Sequence, residues 1–94
     1  MLAKVLKEEG LLKSINGVNF VHKILKKGDT IEKHNHPDKE IVFAVMKGSF
    51  EITIGEVEKH VVKAGEALNF DGTNTISAVA MDESESLVVL VNKE

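Results

Sequence analysis

The chain has 94 residues, 29% of them charged, with a net charge of −3 and no cysteine, tryptophan or tyrosine. A chain of this length is read as one domain over residues 1–94 that buries only ~60–70% of its unfolded surface, and no disulfide supplements that core. Positive and negative side chains are interspersed, which argues against a nucleic-acid-binding stripe. No apolar run approaches the ~18 residues of a membrane span. The start lacks an apolar run before a small-residue cleavage site, so the expected location is cytoplasmic.

In chain order, residues 1–10 carry some helical character through Leu2 and Leu6, or a first strand around residues 4–6. Residues 11–15 are a short apolar piece before Asn16-Gly17, a tight-turn signal. Residues 18–25 alternate as a strand, with Val18, Phe20, His22 and Ile24 on one face and Asn19, Val21, Lys23 and Leu25 on the other. Lys23, Lys26, Lys27 and Lys33 read as a solvated strand edge. His22 reads as a surface or satisfied sheet histidine. After the turn at Gly28 comes an extended segment, 30–36, and then 41–47, apolar on both faces. Further strands are expected at 50–54, 56–62, 67–70, 75–81 and 87–91, the last two split by an acidic turn at 82–86. Seven to nine short strands at this spacing imply an all-β sandwich or barrel.

The densest group of candidate metal ligands lies between Gly28 and Gly48. In an extended segment His34 and His36 point the same way, ~6.6 Å apart along the chain. Two imidazoles at that spacing can lean onto one divalent ion. Pro37 ends or bends the strand. Glu40, four residues after His36, offers an oxygen. His60 falls in an outer hairpin and reads as exposed.

This stretch resembles the first motif of the cupin superfamily: a glycine, five residues, His-x-His, three or four residues, a glutamate, six residues and a glycine. Gly28, His34, His36 and Gly48 match. Counted back from Gly48, however, the glutamate position holds Ile41. Either a bulge near Lys39 turns Glu40 inward, or Ile41, Phe43 and Val45 form one inward row and Glu40 faces out. The apolar row favours the second. The family's second motif, a glycine, five residues, Pro-x-Gly, two residues and a histidine, is matched from Gly65. There Asp71 stands for the proline and, with one residue missing, Gly72 for the glycine and Thr75 for the histidine.

The resemblance implies a small antiparallel β-barrel or jelly roll, the double-stranded β-helix, with its site at His34, His36, Phe43 and Thr75. A metal, if held, would lie on His34 and His36 with Glu40, Asp71 or water: zinc, nickel, iron or manganese, weakly bound. The expected function is a small-ligand-binding barrel without strong catalysis; the alternative is a metal-dependent dioxygenase or isomerase using His34 and His36. The ligand is not named by the residues. A homodimer is expected, because the strand at 41–47 is apolar on both faces in a chain with little core to spare.

Overall fold

The structure is a computed structural model that describes residues 2–93; Met1 and Glu94, the two ends of the expected domain, lie outside the described residues. Nine strands follow one another: β1 (Gly10–Ile15), β2 (Val18–Leu25), β3 (Thr30–His34), β4 (Lys39–Lys47), β5 (Ser49–Ile54), β6 (Glu58–Lys63), β7 (Ala67–Asp71), β8 (Ile76–Ala80) and β9 (Ser84–Asn92). They form two sheets, β1-β2-β9-β4-β7 and β3-β8-β5-β6. Every pairing is antiparallel. Among the described residues there is no helix, and so none long and apolar enough to cross a membrane.

The alternation of the sequence builds the core between the sheets. Ile41, Phe43 and Val45 of β4 and Val88 and Leu90 of β9 face inward from one sheet. Phe50, Ile52 and Ile54 of β5 and Ile76, Ala78 and Ala80 of β8 face them from the other. Phe43 and Phe50 meet edge to face, with ring centroids 5.2 Å apart, a favoured geometry for aromatic pairs. β4 lies between β9 and β7 in the five-stranded sheet, with its odd-numbered side chains in the core. Its even-numbered side chains form part of that sheet's outer face.

Gly48 closes the turn after β4 with φ +73°. A Cβ there would lie 2.3 Å from Ser84 Oγ and 2.4 Å from the Glu83 carbonyl oxygen. Only glycine allows both the left-handed backbone and this approach. The approach matters because Ser84 Oγ accepts from the Ser49 amide at 3.1 Å, tying β5 to the start of β9. The acidic segment expected as a turn thus contributes Ser84–Ser86 to β9: Ser84 and Ser86 are buried and pair with Leu25 and Lys23.

Residues 2–8 form neither helix nor strand. Leu2 and Val5 are exposed and find no apolar surface, and a helix this short does not hold without packing. The segment is tied down at its end instead. His22, buried on the outer side of β2, donates from Nδ1 to the Glu8 carbonyl at 3.1 Å and from Nε2 to Glu85 Oε1 at 2.9 Å. Two acceptors suit the imidazolium. The bond to Glu85 therefore raises its pKa above the ordinary 6.5, against the opposing effect of burial. A raised folded-state pKa gives stability that is full below the unfolded value and lost as pH rises through the folded one. The thermal midpoint is expected to fall as pH rises above 6.5, and His22→Gln should flatten that fall. A wild-type profile parallel to the variant's would show that His22 is not protonated in the native state.

Candidate functional site: a cavity with two histidines and a lysine at its mouth

A bulge in β3 sets the site. Ile31 pairs with Ala78, yet His34 pairs with Ile76, so β3 spends one extra residue between the two pairs. That slip puts Ile31 and His34, three positions apart, on the same inner face. His36 follows at the end of the extended segment, and its amide donates to the Gly72 carbonyl at 2.8 Å. The two imidazoles stand edge to face with centroids 5.0 Å apart. His34 Nδ1 lies 2.7 Å from the Glu32 carbonyl oxygen. A carbonyl only accepts, so Nδ1 carries the hydrogen and the neutral ring presents its lone pair at Nε2. Burial, and next the neighbouring His34, push the pKa of His36 below the ordinary imidazole value; Asp38 pulls the other way.

Both rings border a cavity of about 290 Å³ between the sheets. The rest of its wall is apolar: Val21, Ile31, Ile41, Phe43, Phe70, Ile76, Val88 and Leu90, with Lys23 the one further charged side chain. Lys23 was expected at a solvated edge. It lies instead in β2, between β1 and β9, on the inward face shared with Val21. The alternation of 18–25 held this signal, because Lys23 follows Val21 at a spacing of two.

Of the other expected site residues, Phe43 lines the cavity and Glu40 and Thr75 do not. Ile41 is 2% exposed and points inward, so Glu40 one position earlier points out. There Glu40 Oε2 accepts from Asn69 Nδ2 at 3.0 Å. No bulge near Lys39 turns it round: β4 pairs with β7 and β9 without a slip from Glu40 to Ala44. Thr75 sits in the loop before β8, its carbonyl accepting from the Gly55 amide at 2.8 Å. Ile76, the next residue, takes the inward position opposite His34. Asp71 is held by Lys93 at 2.5 Å, which with the Thr73 amide keeps its pKa at about 2. His60 pairs with Glu58 at 2.7 Å on the outer hairpin, away from the cavity.

Gly72 has a role that its sequence position alone does not reveal. A Cβ on it would lie 2.4 Å from the His36 carbonyl oxygen and 2.7 Å from that of Lys39. Its amide donates to the Lys39 carbonyl at 2.8 Å. The β7–β8 loop therefore clamps the segment carrying His36 by direct backbone contact, which a side chain would pry open.

The cupin domain pattern matches residues 21–91, three quarters of the chain and all of the cavity wall. The chain belongs to the cupin family. Among curated proteins no sequence match is found. Solved structures agree on the fold. A conserved protein of unknown function from Streptococcus pyogenes is 25% identical, with a TM-score of 0.77 over 89% of this chain and 72% of that one. KdgF from a Halomonas species is 19% identical, with a TM-score of 0.80 over 89% and 76%. An RmlC-like cupin with a double-stranded β-helix fold from Methanocaldococcus jannaschii is 18% identical, with a TM-score of 0.79 over 98% and 92%.

In this cupin the residues do not fit the three-histidine, one-glutamate centre. Ile41 stands at the glutamate position counted back from Gly48. Counting forward from Gly65 without a gap puts Ile76, not Thr75, at the third histidine, in agreement with its place opposite His34. Among the described residues no three His, Asp or Glu side chains converge. Two ligand positions of the motif are thus isoleucines, and the rest of the wall that would surround an ion is hydrocarbon except for Lys23.

Proposed function

We propose that this cupin is a small-ligand-binding barrel that works by holding its ligand rather than by metal-centred catalysis. The observation that carries this reading is the exchange of two motif ligands for Ile41 and Ile76 within a lined cavity. A mostly apolar wall with a few polar groups at one side is the usual make-up of a ligand site, and the volume lies at the lower end of the ~300–1,000 Å³ range. Isoleucine methyl spectra recorded against a panel of small organic molecules test it. Ile31, Ile41 and Ile76 should shift together and saturably. Shifts confined to exposed Ile15 and Ile24 would refute cavity binding.

The second reading, a metal-dependent dioxygenase or isomerase, rests on His34 and His36 alone. Two imidazoles hold zinc or nickel weakly, without a third protein ligand. Titration of either metal is expected to give weak binding that His34→Ala abolishes. Nanomolar affinity in the wild type would restore the enzyme reading.

The same reading includes a homodimer. The outer face of the five-stranded sheet runs through Phe20, Val89 and Val42, which stand abreast on β2, β9 and β4. Ile24, Met46 and Val91 on this face are 47%, 49% and 37% exposed. Glu40 and the His22–Glu85 pair border these apolar residues on the same face, so a second copy would bury the apolar strip between charged flanks. Sedimentation at micromolar concentration should give a dimer, and Val42→Lys should give a monomer. A wild-type monomer at high micromolar concentration would rule this out.

A further inference from the structure

We infer that the cavity takes a small carboxylic acid with an apolar body, its carboxylate seated between Lys23, His34 and His36. The inference rests on the ligand-binding reading and names the ligand class. The wall sorts by chemistry. Eight of its side chains are hydrocarbon, and the remaining three are Lys23, His34 and His36. All three can donate hydrogen bonds and carry positive charge, and no carboxylate lines the cavity. Lys23 makes no ion pair among the described residues. It is nonetheless half-buried on the inward face, where an ammonium is costly without a partner. An anion at the mouth would supply that partner.

Lys23, His34 and His36 border one cavity; Lys23 and His34 also share a second, open depression, which Glu9, Asp29 and Glu32 line as well. His34 is held by Glu32 through Nδ1, which leaves Nε2 for the ligand.

The hydrocarbon wall dictates the remainder of the ligand. Polar groups deep in the cavity would meet only Ile41, Phe43, Ile76, Val88 and Leu90 and lose their hydrogen bonds to water. At ~30 Å³ per water-sized group, the cavity holds roughly ten non-hydrogen atoms. A phenyl or short branched alkyl group bearing one carboxylate fits that size. A sugar acid, with a hydroxyl on most carbons, does not suit the wall.

Phenylacetate and its neutral counterpart phenylacetamide test the inference by calorimetric titration of the wild type, Lys23→Met and Lys23→Arg. A charge-assisted hydrogen bond favours the acid, so phenylacetate should bind about ten-fold more tightly than the amide. Lys23→Met should remove most of the acid's preference over the amide. Lys23→Arg should retain most of the preference. Equal binding of acid and amide to the wild type would overturn the carboxylate inference while leaving cavity binding intact. Failure of both compounds to bind, in a protein whose cavity methyls also ignore the wider panel, would overturn the binding reading and this inference together. The wild-type comparison decides the matter even if a lysine variant fails to fold.

Discussion

Replacing Ile41 with glutamate and Ile76 with histidine together is expected to turn a weak two-imidazole site into a tight divalent metal site. Both isoleucines line the same cavity as His34 and His36, and Ile76 stands opposite His34 in the β3–β8 ladder. Loss of an outer partner of a metal ligand costs ~10–100-fold in affinity, and a direct ligand matters at least as much. Two added ligands should therefore raise zinc or nickel affinity by more than about 100-fold. Without metal the double variant should be less stable by roughly 3–5 kcal/mol, since Ile41→Glu buries an unpaired carboxyl and gives up apolar contact. Zinc should restore the thermal midpoint, because binding only to the folded state adds to its stability. Calorimetry and melting with and without zinc would measure both effects. Zinc binding no tighter than in the wild type would mean that the two positions do not converge on the histidine pair.

The strand order was legible because this sequence marks its turns plainly. Asn16-Gly17, Gly28, Gly48 and Gly65 all sit at positive φ between or beside strands. The inward row of β4 was legible through the count back from Gly48 to Ile41, and not through alternation, because Val42, Ala44 and Met46 are apolar too. What was not legible depended on information outside the local pattern. Alternation placed Lys23 with Val21 but could not say that this face, rather than that of Phe20, looked into the cavity. Matching Gly72 to a motif glycine across a one-residue gap put Thr75 at the histidine position. In the structure it is Ile76, one residue on, that stands opposite His34. The terminal segment had the spacing of a short helix, and nothing in its own residues reported the lack of a surface to pack on. Ser84 and Ser86 looked like turn residues because serine is polar. In the structure both are buried strand residues on the inner face, with Ser84 packed against Gly48.

Alanine at Phe50 and alanine at Phe43 are expected to be similarly destabilising and to differ in what refills the space. Each ring is at most 1% exposed, and the two are in contact. Loss of a buried phenylalanine costs ~3–5 kcal/mol, a large share of the ~5–15 kcal/mol that holds a domain together. At ~4–8 °C per kcal/mol, either thermal midpoint should fall by more than about 10 °C. The positions of the rings separate the two outcomes. Phe43 is part of the cavity wall, so Phe43→Ala extends the existing space of about 290 Å³. Phe50 does not border the cavity and pairs with Ala80, at the end of β8 away from the lining residue Ile76. Its removal leaves a void screened by the Phe43 ring. An apolar cavity takes up small aromatic molecules, and a ligand of the folded state raises the midpoint by mass action. Saturating toluene should therefore recover much of the loss in Phe43→Ala and little of it in Phe50→Ala. Equal recovery in both would show that the Phe43 ring does not separate the cavity from the packed core behind it.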